Sequence, residues 1–573
     1  MHILSFNYKT GVLIDDFNTN LDGVMLCGDF SPDGKYLVTG QSGYFNEVNF
    51  DVVLWDWESK EELCRLKGHN GGIKQVWFGA DGKKVYSTAE DGFIKVWDIE
   101  KCNNAASLIG MNQLDYIILS PDNFYKTSKG NADGIGFRYQ NNLYTYDQFD
   151  LRFNRPDKVL EHLGVSTYTL RVYTKAWEKR ISRMGYTAEM LDSDLHLPKI
   201  EILNRQALPV ASESDKLSFK VKVADENVDL ANIRVYINDV PYPNAKGFVI
   251  KKAQGQIQEK ELTIPLGRGA NLVKVSVLNK NGLESVRESF GIEYKPKIEK
   301  QPNLYLFMIG VSEFEDIERN LKFAQKDATD LVEQFKKTGQ YQNVEVQSFY
   351  NEKATKSNID KATSFLEKAS IDDQVVLYIS THGLLDDSLN YYLAMHDTDF
   401  QDPEQKGLPY ESIDKMMDGI ACRNRLVLID ACHSGEVDKS ESVIRTTPGG
   451  LNIRQLTKSG STMIRPKTGL RNSFTYMQEL FSNLSNTTGA TVISAASGYE
   501  FALESEDWSN GVFTYAILQA LRSGEADLNG DKLLQISELK HYVIQKVILL
   551  TEGKQHPTTR TENEVNDFVI YRY

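Results

Sequence analysis

The sequence predicts a multidomain chain: β-rich repeats first, a central β-sandwich next, and a C-terminal α/β domain with a mostly parallel sheet. Three observations carry this. At 573 residues the chain exceeds what one hydrophobic core usually holds, and about three to five domains fit its length. Near the N-terminus a pattern recurs at about 42–48 residues, a spacing typical of stacked β units. Beyond residue ~303, Val/Ile/Leu-rich strands alternate with amphipathic helices, as buried parallel sheets require. Hydrophobic residues (41%) and charged residues (25%) are those of an ordinary soluble protein, which excludes wholesale disorder and a membrane bundle. The net charge of −14 repels phosphate backbones, so no nucleic acid partner is expected.

Residues 1–136 hold the repeat. Phe30-Ser-Pro-Asp-Gly-Lys-Tyr36 precedes Val53-Leu-Trp-Asp56, and Phe78-Gly-Ala-Asp-Gly-Lys-Lys84 precedes Val96-Trp-Asp98, with Gly68-His69 opening the second unit. Alternating apolar positions broken by Asp-Gly turns read as short antiparallel strands. The Gly-His and Trp-Asp signatures resemble WD40 propeller blades. Two clear units fall short of the four to eight blades that close a propeller, so an incomplete one is expected. A third, decayed unit begins at Leu119-Ser-Pro-Asp122. The five cysteines (Cys27, Cys64, Cys102, Cys422, Cys432) contain no CxxC pair, so neither a disulfide framework nor a zinc ribbon is expected. The first residues lack a leader pattern and no apolar run reaches transmembrane length, so a cytoplasmic protein without a membrane partner is expected.

Residues 137–196 read as a connector, with strands at Phe137–Tyr139 and Leu143–Phe149 and a helical pattern from Pro156 onward. Residues 197–298 alternate as an all-β region, including Leu217–Val223, Ile233–Ile237 and Asn271–Val277, and fit an immunoglobulin-like sandwich without a cysteine pair. It reads as a spacer or a protein-binding module.

In residues 303–573, strands are expected at Tyr305–Val311, Val344–Tyr350, Gln374–Thr381, Arg425–Cys432 and Ala490–Ser497, with a helix over Leu321–Lys337. Functional residues of open α/β sheets gather at the carboxyl ends of strands. Two such ends carry chemistry: Tyr378-Ile-Ser-Thr-His382-Gly383 and Leu428-Ile-Asp430-Ala-Cys432-His433-Ser434-Gly435. A thiol beside an imidazole ionises to a nucleophilic thiolate. A following glycine lets the backbone turn its N–H groups toward an oxyanion. His433, His396 and Cys422 read as structural.

The His-Gly and Asp-Ala-Cys-His-Ser-Gly segments, with His382 standing 50 residues before Cys432, resemble the caspase/metacaspase superfamily of cysteine peptidases. The resemblance covers about 270 residues and includes Gly511-Val-Phe-Thr-Tyr515. It implies a caspase-fold domain in which Cys432 attacks the scissile carbonyl, His382 serves the leaving amine, and the N–H groups of Gly383 and Cys432 hold the oxyanion. Asp430 stands where caspases have Gln. Two residues before Cys432 on one strand, it shares that residue's face and should line the same pocket. By the same resemblance, Leu321-Lys-Phe-Ala-Gln-Lys-Asp327-Ala328 places Asp327 in that pocket, and Ser380 joins it. Two carboxylates favour a cation, so protein substrates with Arg or Lys at P1 are expected. The alternatives are an Asp-directed caspase-like protease and a non-catalytic scaffold whose β domains bind protein partners.

Two further features belong to this domain. Asp527, Asn529, Asp531, Leu533 (through its carbonyl), Gln535 and Glu538 match the ligand spacing of an EF-hand loop, and calcium is the cofactor expected there. Lys532 replaces the usual glycine. The stretch Glu436–Asn472 is polar and glycine-containing, carries Arg445, Arg454 and Lys458, and is expected to be a loop cut by the enzyme itself.

Overall fold

The computed structural model describes residues 2–21, 24–43, 49–110, 116–127, 136–139, 141–183, 186–192, 195–250, 257–386, 390–433, 451–453, 489–495, 503–506, 508–561 and 566–573. The chain divides into two compact units, Met1–Phe137 with Phe149–Trp177, and Arg138–Gln148 with Glu178–Tyr573.

Among the described residues, twelve strands lie wholly in the first unit, followed by helices within residues 149–177. The strands are β1 (His2–Phe6), β2 (Leu13–Asn18), β3 (Val24–Phe30), β4 (Tyr36–Ser42), β5 (Val52–Asp56), β6 (Glu62–Leu66), β7 (Ile73–Phe78), β8 (Lys84–Ala89), β9 (Ile94–Asp98), β10 (Asn103–Gly110), β11 (Tyr116–Leu119) and β12 (Tyr125–Thr127). β3-β4-β5-β6 form one antiparallel blade, and β7-β8-β9-β10 begin a second. The expected Asp-Gly turns are present, with Gly34 and Gly82 in the left-handed region where only a residue without Cβ is unstrained. Leu119-Ser-Pro-Asp122 makes the same turn, with Asn123 left-handed, but it starts no separate blade. Its strands β11 and β12 instead extend the second blade from the edge of β10, giving a six-stranded sheet. Val38, Val52, Leu54, Ile73 and Trp97 form the core between the blades.

A second expectation is corrected here. Cys64 of β6 and Cys102, in the turn between β9 and β10, are joined as a disulfide with Cα atoms 6.1 Å apart. The partners lie 38 residues apart and meet because the two repeats stack, which local cysteine spacing does not encode.

In unit 2, the strand expected over 143–149 ends at Thr145, and helix follows from Tyr146. Residues 199–294 form two sheets. One pairs Lys199–Ile202, Lys216–Ala224 and Gln258–Pro265. The other orders Ala211–Ser212, Glu288–Tyr294, Gly269–Asn279, Leu230–Ile237 and Val240–Tyr242, with Phe248–Val249 beside Leu230–Ile237. Phe219, Val221, Ile233, Val235, Val273 and Val275 alternate inward to share one core.

The remaining chain folds around a sheet of β13 (Leu304–Gly310), β14 (Val344–Tyr350), β15 (Gln374–Leu385), β16 (Tyr391–Leu393), β17 (Leu408–Pro409), β18 (Asn424–His433), β19 (Thr491–Ser494) and β20 (Thr558–Thr561). The order is β14-β13-β15-β18-β19-β20, parallel up to β19 and antiparallel at β20, with β16 and β17 attached to β15. The pleat sorts side chains into two cores. Leu306, Met308, Val376, Tyr378, Leu426 and Leu428 face helices α1 (Ala324–Phe335), α2 (Val512–Ser523) and α3 (Ile536–Leu550), while Phe307, Ile309, Leu377, Ile379, Val427 and Ile429 face the other layer. Burial on both faces explains the unbroken apolar strands.

The sheet pair of residues 199–294 grips the root of β18. Arg423, one residue before that strand, donates from Nη1 to Asn271 Oδ1 (2.6 Å) and from Nη2 to the Pro265 carbonyl (2.9 Å). Burial pushes its guanidinium down to about 10. Arg268 N–H donates to Asp372 Oδ1 (2.8 Å) and Ala245 N–H to Asp418 Oδ1 (2.8 Å) across the same boundary.

The blade core contains a titratable group with a checkable consequence. Trp97 Nε1–H donates to Ser87 Oγ (2.8 Å), whose own hydrogen is left for His69 Nε2 (2.8 Å), and His69 Nδ1–H donates to Asp91 (2.9 Å). Burial holds the His69 pKa below its ordinary value, although Asp91 opposes the shift. A histidine whose folded pKa is depressed resists protonation, so stability is lost as pH falls through the unfolded value of about 6.5. Five of the six tryptophans lie in unit 1. Tryptophan fluorescence melts should therefore show unit 1 losing stability from about pH 7 to pH 5, with a flatter dependence in His69→Gln. Equal pH dependence in both proteins would reject this role for His69.

Candidate active site

β15 and β18 run parallel in a register that sets Ser380 beside Asp430, His382 beside Cys432 and Gly383 beside His433. Neighbouring strands lie about 4.8 Å apart, so residues 382 and 432 occupy adjacent positions at the carboxyl ends of the two central strands. β18 ends at His433, one residue past Cys432, whereas β15 runs beyond the expected end at Thr381 to Leu385, because Gly383, Leu384 and Leu385 pair with β16.

His382 is buried, and its ring lies between Phe314 (5.3 Å between centroids) and Phe400 (5.7 Å). Its Nε2 stands 2.8 Å from the Arg319 carbonyl oxygen. A carbonyl only accepts, so Nε2 carries the hydrogen and Nδ1 is the basic nitrogen of the neutral ring. The loop bearing that carbonyl is itself fixed. Phe314 N–H donates to Asn320 Oδ1 (2.8 Å), Glu315 N–H to the His396 carbonyl (2.9 Å), and the Arg319 guanidinium lies 5.2 Å over Phe400. Sequence reasoning did not reach Arg319, Phe314 or Phe400. A backbone acceptor has no side-chain signature, and the two phenylalanines lie 86 residues apart.

The acidic residues gather at the first turn of α2. Asp327 on α1 is fully buried; its Oδ1 accepts from Asn510 Nδ2 (2.8 Å), and both carboxylate oxygens lie 3.2 Å from Gly511 N–H. Asp430 on β18 is also fully buried, and its Oδ2 accepts from Thr514 Oγ1 (3.1 Å). Ser380 is buried in register with Asp430. The positive end of a helix and its unpaired N–H groups suit carboxylates there. The structure thus brings Asp327, Asp430 and Ser380 to one side of the sheet, next to the strand ends bearing His382 and Cys432.

Other candidates fall elsewhere. His396 Nδ1 bonds the Glu313 carbonyl (2.7 Å) in a loop. In the Asp527–Glu538 loop, Asp527 accepts from the N–H groups of Gly530, Asp531 and Lys532, Asn529 from Asp531, and Asp531 from Leu533. Glu538 accepts from Leu528 and Gln535 N–H groups and shares a capping box with Gln535 at the start of α3. Lys532 takes the left-handed conformation at the position usually held by glycine. Among the described residues no group of three His, Cys, Asp or Glu side chains is gathered to hold a metal, and the calcium expectation, which also counts Asn529, the Leu533 carbonyl and Gln535, rests on spacing alone. Of the Glu436–Asn472 stretch, Leu451–Ile453 is described, as a strand antiparallel to Leu503–Ser505. Arg445, Arg454 and Lys458 lie outside the described residues.

Comparison with known proteins agrees with this geometry at the level of domains. Residues 305–569 match the family model described as a caspase domain, and residues 60–98 match the WD domain, G-beta repeat. The chain therefore carries a caspase domain and, near its N-terminus, a WD40 repeat. It is 27% identical over 108 residues to human apoptotic protease-activating factor 1, covering 19% of this chain and 8% of that protein. It is 27% identical over 122 residues to mouse cilia- and flagella-associated protein 52, covering 19% and 20%. It is 35% identical over 71 residues to human pre-mRNA-processing factor 17, covering 12% and 11%. The chain thus spans a fifth or less of each of these relatives. A crystal structure of RRP9 WD40 repeats aligns at 18% identity over 22% of this chain and 41% of that one, with a TM-score of 0.17 that carries no argument. No helix among the described residues is long and apolar enough to cross a membrane.

The buried thiol of Cys422 donates to the Asp373 carbonyl (3.0 Å), and burial pushes its pKa up to about 12. At pH 8 roughly one molecule in ten thousand would hold it as thiolate. Iodoacetamide mapping of the native protein at that pH should leave Cys422 unmodified, and modify it once guanidinium is added. Rapid native alkylation would show that its surroundings open.

Proposed function

We propose that residues 303–573 are a cysteine endopeptidase that cleaves protein substrates after Arg or Lys. The observation that carries the reading is the register of His382 beside Cys432 within a region matched to the caspase domain. The Cys432 thiolate attacks the scissile carbonyl, and a C–S bond forms as the carbonyl π electrons move to oxygen. The N–H groups of Gly383 and Cys432 are the donors for that oxyanion. The proton taken from the thiol resides on His382 Nδ1, because Nε2 is committed to the Arg319 carbonyl. It passes to the departing amine as the C–N bond breaks. Water then attacks the thioester, gives a proton back to Nδ1, and releases the acid and the thiolate.

Asp430 and Asp327 set P1 preference in this reading. As carboxylates, both would attract a cationic P1 side chain. An Asp at P1 would meet like charge, which disfavours the Asp-directed alternative. The WD40 repeats and the β-sandwich of residues 197–298, which we read as immunoglobulin-like, hold protein partners. We place the protein in the cytoplasm and expect self-cleavage after Arg445, Arg454 or Lys458. Calcium takes no step in this mechanism. A non-catalytic scaffold is the second reading, favoured by relatives matched through WD40 repeats.

Fluorogenic peptides differing only at P1 test this reading. Arg and Lys substrates should be turned over and Asp substrates left intact. Cys432→Ala and His382→Ala should each lower kcat/KM by about a thousandfold or more while leaving the melting curve unchanged. Asp430→Ala should reduce the Arg-over-neutral preference by about tenfold or more, chiefly through KM. Full activity in either dyad variant would defeat the mechanism. An unchanged preference in Asp430→Ala would defeat the pocket.

A further inference from the structure

The segment Gly511-Val-Phe-Thr-Tyr515, which family resemblance singles out without giving it a role, touches both acids of the proposed P1 pocket. Gly511 is the N-cap of α2, and its N–H lies 3.2 Å from each oxygen of Asp327. Thr514, the third residue of the helix, donates from Oγ1 to Asp430 Oδ2 (3.1 Å). The same Oγ1 lies 2.7 Å from the hydroxyl of Tyr378 on β15. In the paired register Tyr378 stands beside Leu428, two residues before Ser380 and Asp430. Two residues along a strand is about 6.6 Å, so Tyr378 and Thr514 form a layer beneath the acid. Tyr378, Thr514 and Asp430 are all 0% exposed, and Tyr378 belongs to the apolar core of Val376, Leu428, Val512, Phe513 and Ala516.

The hydrogens of this chain of bonds run one way. An ionised carboxylate only accepts, and a threonine hydroxyl has a single hydrogen. With Asp430 ionised, as a group that meets a cation has to be, the Thr514 hydrogen lies on Asp430 Oδ2, and the hydrogen of the 2.7 Å contact is that of Tyr378. Tyr378 therefore keeps the Thr514 hydroxyl turned toward Asp430. A hydrogen bond to a charged group is stronger in a low-dielectric core than in water. One oxygen of Asp430 is thereby tied to helix α2 and, through Thr514, to the strand that bears His382.

We propose that Thr514 and Tyr378 are positioning residues of the P1 pocket, and that by fixing the plane of the Asp430 carboxylate they make Arg, rather than Lys, the preferred P1 side chain. This rests on the reading of Asp430 as an acid that meets P1. The two cations ask different things of a carboxylate. A guanidinium is a rigid planar fork whose paired bonds to a carboxylate need the two planes to match, whereas an ammonium is a point charge met from any direction. An aspartate free to turn serves both alike; one held by a helix and a strand favours the fork. Asp327 is held in the same manner, with Asn510 Nδ2 2.8 Å from its Oδ1 and the Gly511 N–H on both oxygens. Neither hydroxyl has to touch the substrate, because both act through Asp430.

Fluorogenic peptides with Arg, Lys or norleucine at P1 test this on the full chain. The wild type should turn over Arg about tenfold better than Lys in kcat/KM. Thr514→Val keeps the shape and removes the hydroxyl. It should lower kcat/KM for Arg by about thirtyfold, chiefly through KM, and for Lys by about threefold. Thr514→Ser should restore the wild-type ratio. Tyr378→Phe, which keeps Thr514 in place, reads the same chain of bonds independently and should lower the Arg-over-Lys ratio by about threefold. In the Asp430→Ala background the ratio should not move with Thr514→Val, because the hydroxyl acts through that carboxylate. Equal losses of Arg and Lys in Thr514→Val, a Thr514→Ser protein as impaired as Thr514→Val, or a ratio that still moves without Asp430 would overturn the proposal while leaving the pocket standing. Asp430→Ala with an unchanged preference for Arg and Lys over norleucine would defeat the pocket reading, and the proposal with it.

Discussion

The site depends on one constraint: β15 and β18 are neighbours, parallel and in a fixed register from Gln374 beside Asn424 to Gly383 beside His433. A slip of one residue would move every side chain of β18 to the opposite face and separate positions 382 and 432. In the observed register Leu426 and Leu428 face α1 and α2, and Val427 and Ile429 the other core. Arg423 adds a restraint at the strand's root through its bonds to Asn271 and Pro265. The two-sheet region is therefore joined to the strand that bears Cys432.

Much of the caspase domain was legible because its signals are local. Strands buried on both faces read as apolar runs, and β13, β14 and the body of β15 fall within a residue or two of expectation. The histidine and cysteine announced themselves by strand-end position and by glycine. The surroundings of His382 were not legible, because they consist of a carbonyl and two distant aromatic rings. Asp327 was reached through family resemblance, yet its partners Asn510 and Gly511 are 183 and 184 residues away in sequence. In the Asp527–Glu538 loop the expectation of calcium rests on spacing, and the carboxylates of Asp527 and Glu538 accept from nearby N–H groups.

The N-terminal unit repeats that lesson. Trp-Asp, Gly-His and Asp-Gly signals revealed two units, and the Ser-Pro-Asp signal at residues 120–122 was overweighted. The turn forms as its sequence requires, but strand partners are chosen by packing, and β11 joins β10. The Cys64–Cys102 bond likewise follows from stacked repeats.

Covalent trapping tests the central claim most directly. The protein is incubated with an Arg-terminated peptidyl chloromethyl ketone and with its Asp-terminated counterpart, then digested and mapped by mass spectrometry. The account predicts one adduct, on Cys432, formed with the Arg reagent, slow with the Asp reagent and strongly reduced in His382→Ala. Labelling of another cysteine, no labelling of Cys432, or equal labelling in His382→Ala would contradict it.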